Sequence, residues 1–315
     1  MGLLPPTLLD GAILGLLYAT IALGYTMVYG VLRLINFAHG EIFMVGGIAA
    51  IELLTFVLIP LGLPPLLMLG IGLMFAACVS AAVALAAERI AYRPLRKRRA
   101  PRLVPLITAI GLSLLLQDAV RFIESLFGNF IRPFPAIPSL EGSFELGGGL
   151  ILSYKSLAIL VIGIAMLAFL MLLVNRTKLG QAIRAVAQDP RASTLMGIDV
   201  DRVVAATFAI GGALGGMAGL LYALQYGKLD PFAGFIPGLK AFTAAVLGGI
   251  GSIPGAMVGG LVLGVMEVMS GTFLPIITDG VIGTDYKDVF VFGLLILILI
   301  FRPGGLLGKS VVEKV

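Results

Sequence analysis

The chain has 315 residues and a formal net charge of +5, yet only 12% of its residues are charged, 59% are hydrophobic and the mean hydropathy is +1.08. An ordinary soluble domain carries about 25% charged residues, so a soluble enzyme, a nucleic-acid-binding module and a disordered regulator are excluded. What remains is an all-α polytopic protein of the lipid bilayer; a single cysteine, Cys78, and a single histidine leave no internal disulfide and no Cys/His metal cage.

About 20 apolar residues cross a hydrocarbon core as a helix. In chain order such runs lie near 11–32, 41–60, 65–87, 103–127, 151–174 and 203–226, with a shorter one near 286–301. The first lacks a basic flank and is long enough to span, so it reads as a retained helix rather than a cleaved signal. Residues 238–271 are apolar but interrupted by Gly248-Gly249-Ile250-Gly251-Ser252-Ile253-Pro254-Gly255. They are long for one crossing and short for two, which predicts a broken or re-entrant element whose free backbone groups face protein or a water-filled cavity. The expected architecture is one domain, 1–315, of roughly eight transmembrane helices with broken or re-entrant segments.

Basic residues set the expected sidedness. Loop 88–102 holds Arg89, Arg93, Arg96, Lys97, Arg98, Arg99 and Arg102, and loop 175–202 holds Arg176, Lys178, Arg184, Arg191 and Arg202, together more than half of all Lys and Arg. Both loops are therefore expected in the cytoplasm. The N-terminus then lies outside, and the tail with Arg302, Lys309 and Lys314 inside, provided that 238–271 contributes an even number of passages. The run Arg96–Arg99 is a topology signal first and a contact for anionic membrane lipid second.

Between the first two apolar runs stands Arg33-Leu34-Ile35-Asn36-Phe37-Ala38-His39-Gly40-Glu41. Two readings stay open. It is either a solvated turn, or a break at membrane depth whose Asn36, His39 and Glu41 line a route or pair with one another. In 175–202, Leu179, Ile183 and Val186 share one face of a short amphipathic helix. Asp189 followed by Pro190 makes an N-cap and first-turn pair, and Gly197 stands where the second helix would end. Two short helices with a turn between them would form a knob along the membrane surface.

Gly211, Gly215 and Gly219, doubled by Gly212 and Gly216, and the set Gly255, Gly259, Gly260 and Gly264 suit close helix packing within the chain. Among the acids, Arg121 and Glu124 could neutralise each other at i and i+3. Glu52 and Glu267 lack a local partner; an interhelical hydrogen bond is expected ahead of the alternative, a proton relay. The stretch Gly304-Gly305-Leu306-Leu307-Gly308-Lys309-Ser310 resembles the end of a phosphate-binding loop, but Pro303 stands where its first glycine is required. No metal or nucleophile constellation points to catalysis, so an intramembrane enzyme is disfavoured.

Several segments resemble the LivH-type permease of branched-chain amino acid ABC importers. They are Ala22–Gly30, Ile35–Glu41, Met196–Val203, Ala241–Ala256 and Tyr286–Val289, and the resemblance runs from about Leu14 to the C-terminus. It implies an inner-membrane subunit that is not itself an enzyme and binds no cofactor, with ATP and magnesium held on partner subunits. The implied partners are a LivM-type second permease, two cytoplasmic ABC ATPases and a periplasmic amino-acid-binding protein. By the same resemblance, Leu179, Gly180, Ile183, Arg184, Val186, Asp189, Pro190 and Gly197 belong to the segment that couples to the ATPase. Asn36, His39 and Glu41, with Thr243, Gly248, Gly249 and Gly251, would flank a translocation path worked by alternating access. A urea or short-chain amide importer remains an alternative within the family, and a passive channel an alternative outside it.

Overall fold

The computed structural model describes residues 3–98, 100–101, 103–126, 128, 131–145, 150–302 and 304–308. Arg99, Arg102, Pro303, Lys309, Ser310 and Lys314 lie outside the described residues. The chain is an all-α membrane-spanning bundle. In order come α1 (Leu4–Leu32), α2 (His39–Leu53, prolonged by a π-helical turn Leu54–Leu58), α3 (Pro65–Ala87), α4 (Arg93–Lys97) and α5 (Leu103–Leu126). Then follow α6 (Tyr154–Arg176), α7 (Lys178–Gln188), α8 (Pro190–Leu195), α9 (Val200–Tyr226), α10 (Phe235–Gly248), α11 (Ile253–Ile277) and α12 (Lys287–Phe301). Among the described residues, seven helices are long and apolar enough to cross a bilayer, and α10 is a shorter apolar one.

The core centres on α1. An isolated transmembrane helix gains little by exchanging lipid for protein, so close association needs small residues that let backbones touch. The glycine stripes do this within the chain. Gly260 of α11 lies against Ala19 of α1, and Gly264 against Gly15, so these two helices run antiparallel. Gly212 and Gly216 of α9 receive Ser80 and Ala76 of α3, while Gly219 meets Phe43 and Gly47 of α2. By contrast α5 and α6 turn Ile107, Leu115, Phe122, Ile164, Phe169 and Leu172 outward.

Two expectations change in detail. The stretch 88–102 is largely not a loop, because α3 continues through a π-helical turn, Glu88–Tyr92, into α4. The fully buried Glu88 holds Arg93 at 3.0 Å and Arg96 at 3.1 Å, which stabilises the continuation. The interrupted stretch 238–271 splits into α10, which at 14 residues is only about 21 Å long, and the full-length α11. After α9 the chain passes through a two-residue strand, Lys228–Leu229, paired with Arg132–Pro133. It then reaches Gly234 beside Gly40 and Glu41, midway along the bundle, where α10 begins. Gly248 packs against Gly255 and Ala244 against Gly259, so α10 and α11 form an antiparallel pair.

Arg121 is not neutralised by Glu124. It pairs with Asp118 at 3.1 Å and lies over the Phe232 ring, while Glu124 pairs with Arg132. Arg132 also holds Glu52 at 2.5 Å. Glu267 accepts from Tyr18 at 2.8 Å and pairs with Lys240 at 2.7 Å and Lys287 at 3.2 Å, tying α1, α10, α11 and α12 together.

Candidate functional site: a mid-bundle cavity and a capped knob

Residues 33–41 form a break that starts at an exposed Arg33 and is buried at Asn36 and from Ala38 to Glu41. Arg33 ends α1 in the left-handed region at φ 53°, and α2 starts only at His39, back inside the bundle. Asn36 closes the break. Its Oδ1 accepts from the Ala38 backbone N–H at 3.2 Å and from the Tyr92 hydroxyl at 2.7 Å, an Asx-type turn locked from α3's π-helical turn. His39 is buried against Gly24 and Gly215, with its ring edge-on to Tyr25 at 4.8 Å. Asn36 and His39 are thus packed into the wall. Glu41 alone of the three lines open space.

That space is a cavity of about 290 Å³, bordered by Tyr25, Phe37, Glu41, Ser113, Leu114 and Gln117 among others, with the start of α10 at Gly234 and Phe235 on its far side. The first turns of α2 and α10 meet here, because Gly40 and Gly238 let the two backbones touch. Glu41 is 1% exposed, and its Oε1 accepts from the Ser113 hydroxyl at 3.3 Å. Ser113 and Gln117 stand four residues apart on α5 and so share one face of it. Tyr25 and Ser113 were not singled out from sequence, because only the fold brings α1 and α5 to Glu41.

The glycine break lies elsewhere. Thr243 is buried on α10, and Gly248, Gly249 and Gly251 form the turn between α10 and α11, about 20 Å along α10 from Gly234. Gly249 (φ 107°) and Gly251 (φ 90°) need a conformation that side chains oppose. The carbonyls of Leu247 and Gly248, freed by the turn, accept from the backbone N–H groups of Leu306 and Leu307. The structure therefore brings Glu41 together with α5 and α10, and leaves the Gly248–Gly251 turn at the end where α1 and α3 finish.

At that same end stands the knob. The Thr177 side chain caps α7 by accepting from Gly180 N–H at 3.0 Å, and Asp189 caps α8 by accepting from Arg191 and Ala192 N–H at 2.8 and 3.1 Å. Pro190 opens α8, and Gly197 follows it at φ 82°. Ile183 and Val186 are buried and Leu179 is half-buried, while Gly180 fits against the Val174 carbonyl at the end of α6. Arg184 donates to that same carbonyl, so it ties the knob to α6. Leu195 and Met196, 89% and 82% exposed, project from the tip and were not foreseen.

The chain matches the family described as branched-chain amino acid transport system / permease component over residues 7–299. The chain belongs to this permease family. It is 46% identical to the high-affinity branched-chain amino acid transport system permease protein BraD of Pseudomonas aeruginosa, covering 98% of this chain and 97% of that protein. It is 43% identical to the corresponding LivH protein of Salmonella typhimurium and 42% identical to that of Escherichia coli K12, each over 97% of this chain and 96% of the relative. No solved structure matches this permease. The matched span takes in the 33–41 break, the knob and the α10–α11 pair together.

Proposed function

We propose that this permease translocates branched-chain amino acids into the cell as one of two membrane subunits of an ATP-driven importer. The observation that carries this reading is the similarity to BraD and LivH, which extends through every irregular element of the bundle rather than the apolar spans alone. The partners would be a LivM-type permease, two ABC ATPases that hydrolyse the ATP, and a periplasmic binding protein that delivers the amino acid. The excess of Arg and Lys around α4, α7 and α8 favours placing that end in the cytoplasm, with the C-terminus on the same side and the N-terminus outside.

The α7–α8 knob is then the coupling element. A nucleotide-driven movement passes only through a rigid body; both short helices are capped, and α7 is seated by buried Ile183 and Val186. Leu195 and Met196 offer the apolar tip that a groove on an ATPase would take. Asp201, at the start of α9, holds Arg96 at 2.5 Å, so motion of the knob reaches α4 and, through the π-helical turn, Tyr92 and Asn36. Alternating access would open the Glu41 cavity first to one side and then to the other, with the α10–α11 turn close to the inner exit.

The test is uptake of labelled leucine and labelled urea by cells with and without this permease, energised and ATP-depleted. Permease-dependent, ATP-dependent leucine uptake is expected. Urea uptake instead would change the cargo, and flux that survives ATP depletion would restore a channel. Replacing Arg184, or the Asp189-Pro190 pair, should leave the chain inserted but separate ATP hydrolysis from uptake.

A further inference from the structure

Every other buried acid in the bundle has a basic partner: Glu88 has Arg93 and Arg96, Glu124 has Arg132, and Glu267 has Lys240 and Lys287. Glu41 is the exception. It is 1% exposed, its Oε2 has no hydrogen-bond partner, and among the described residues no cationic side chain comes within ion-pair distance. A carboxylate at this depth without a counter-charge is costly to keep. Its place at the start of α2 and against Gly234 at the start of α10 gives it the positive ends of two helix dipoles, which favour a charge there but do not saturate its oxygens.

The cavity it faces has two further kinds of lining. Ile110, Leu114 and Leu239 make an apolar wall, and Tyr25 and Gln117 carry hydroxyl and amide donors. About 290 Å³ is at the lower end of the range for small-ligand pockets. An anionic group, an apolar wall and neutral donors around one small space complement an ammonium, an aliphatic side chain and a carboxylate.

We propose that the Glu41 cavity is a transit site for an aliphatic α-amino acid zwitterion, in which Glu41 receives the ammonium group, the Ile110–Leu114 wall of α5 the side chain, and Tyr25 and Gln117 the carboxylate. This rests on the reading of the chain as an amino acid permease and adds the group that recognises the amine. The permease then rejects neutral solutes of similar size on its own, because without an ammonium the buried carboxylate stays unpaired.

The experiment uses the complete importer, with binding protein, in proteoliposomes. Wild type, Glu41→Gln and Glu41→Asp are compared for leucine uptake, for ATP hydrolysis stimulated by the loaded binding protein, and for co-purification of the subunits. The expected result is at least a roughly tenfold loss of leucine uptake in Glu41→Gln, the scale of losing one hydrogen bond to a charged group, with stimulated hydrolysis persisting and partial recovery in Glu41→Asp. Uptake by an assembled Glu41→Gln importer within about twofold of wild type overturns the proposal, since a lost charge-assisted contact cannot be that small. Parallel loss of uptake and stimulated hydrolysis also overturns it, by marking a structural role. Should Glu41→Gln not assemble, Glu41→Asp decides: assembly with uptake supports the proposal, and assembly without uptake overturns it. Absence of leucine uptake in the wild type would be a failure of the functional reading, a separate outcome.

Discussion

Gly260→Ala is the sharpest probe of how this bundle is held together. A Cβ at Gly260 would lie 2.5 Å from both the Cα and the backbone nitrogen of Ala19, and 2.7 Å from the Ala19 Cβ. Carbon contacts rest at about 3.5–4.0 Å, so α11 must retreat from α1 by about 1 Å. The obstacle is backbone and a methyl group, neither of which can rotate away. A gap of that size already forfeits a quarter to a half of the dispersion energy at each contact it opens. The contacts run from Gly11 to Ala19, so the loss is shared along the whole seam. Overpacking of this kind costs about 1–3 kcal/mol, and the length of the seam points to the upper part of that range. Gly70, in the second turn of α3, has nothing within 4 Å of the corresponding position. There Gly70→Ala should stabilise by about 0.5–1 kcal/mol through helix propensity alone. Reversible unfolding in mixed micelles, followed by helical circular dichroism, measures both. Equal stability of the two variants would mean that α1 and α11 do not pack backbone to backbone, and would refute the reasoning.

Other perturbations separate anchoring from gating. Lys240→Met removes the nearer cation from Glu267 at a site where both side chains are at most 6% exposed, but leaves Lys287 and the Tyr18 hydroxyl in place; the loss should be about 1.5–3 kcal/mol, the scale of one hydrogen bond to a charged group, seen as loss of the folded fraction in the same unfolding assay. Tyr92→Phe keeps the ring on Phe208 but deletes the 2.7 Å hydrogen bond to Asn36. It should destabilise by about 1–3 kcal/mol and raise proteolytic cleavage within 33–38, and unchanged cleavage would mean that the break is held by packing alone. Gly251→Leu places a side chain at φ 90° in the α10–α11 turn, costing about 1–3 kcal/mol. Transport should be abolished, and an unaffected variant would show that this turn is neither tight nor close to the path.

Much of the architecture was legible from composition and periodicity. The apolar runs are set by the thickness of a bilayer, so their number and rough limits follow from counting residues. The start and end of α8 were legible as well, because Asp189, Pro190 and Gly197 act through local geometry, whereas the Thr177 cap of α7 was not singled out. The Gly248–Gly255 interruption signalled a break but not its form, since α10 is joined to α9 by residues 227–234, upstream of that stretch. The continuation of α3 into α4 was hidden, because its charges resemble a loop until Glu88 is seen to gather Arg93 and Arg96.

The candidate site divides along the same line. Asn36, His39 and Glu41 lie within six residues of one polar segment, and sequence alone treats them as equivalent. Only the packing separates them: Asn36 is occupied by Tyr92, His39 by Gly24, Gly215 and Tyr25, and Glu41 is left facing the cavity. The sequence by itself determined that this is a bilayer protein of about eight crossings, with a broken segment, a basic end and a capped knob, because hydrophobicity, charge and capping act over neighbouring residues. Which polar side chains are packed into the wall and which one faces the cavity was decided by tertiary contacts between α1, α2, α5 and α10. Those contacts join residues as far apart in sequence as Tyr25 and Phe242, and no local rule carries that information.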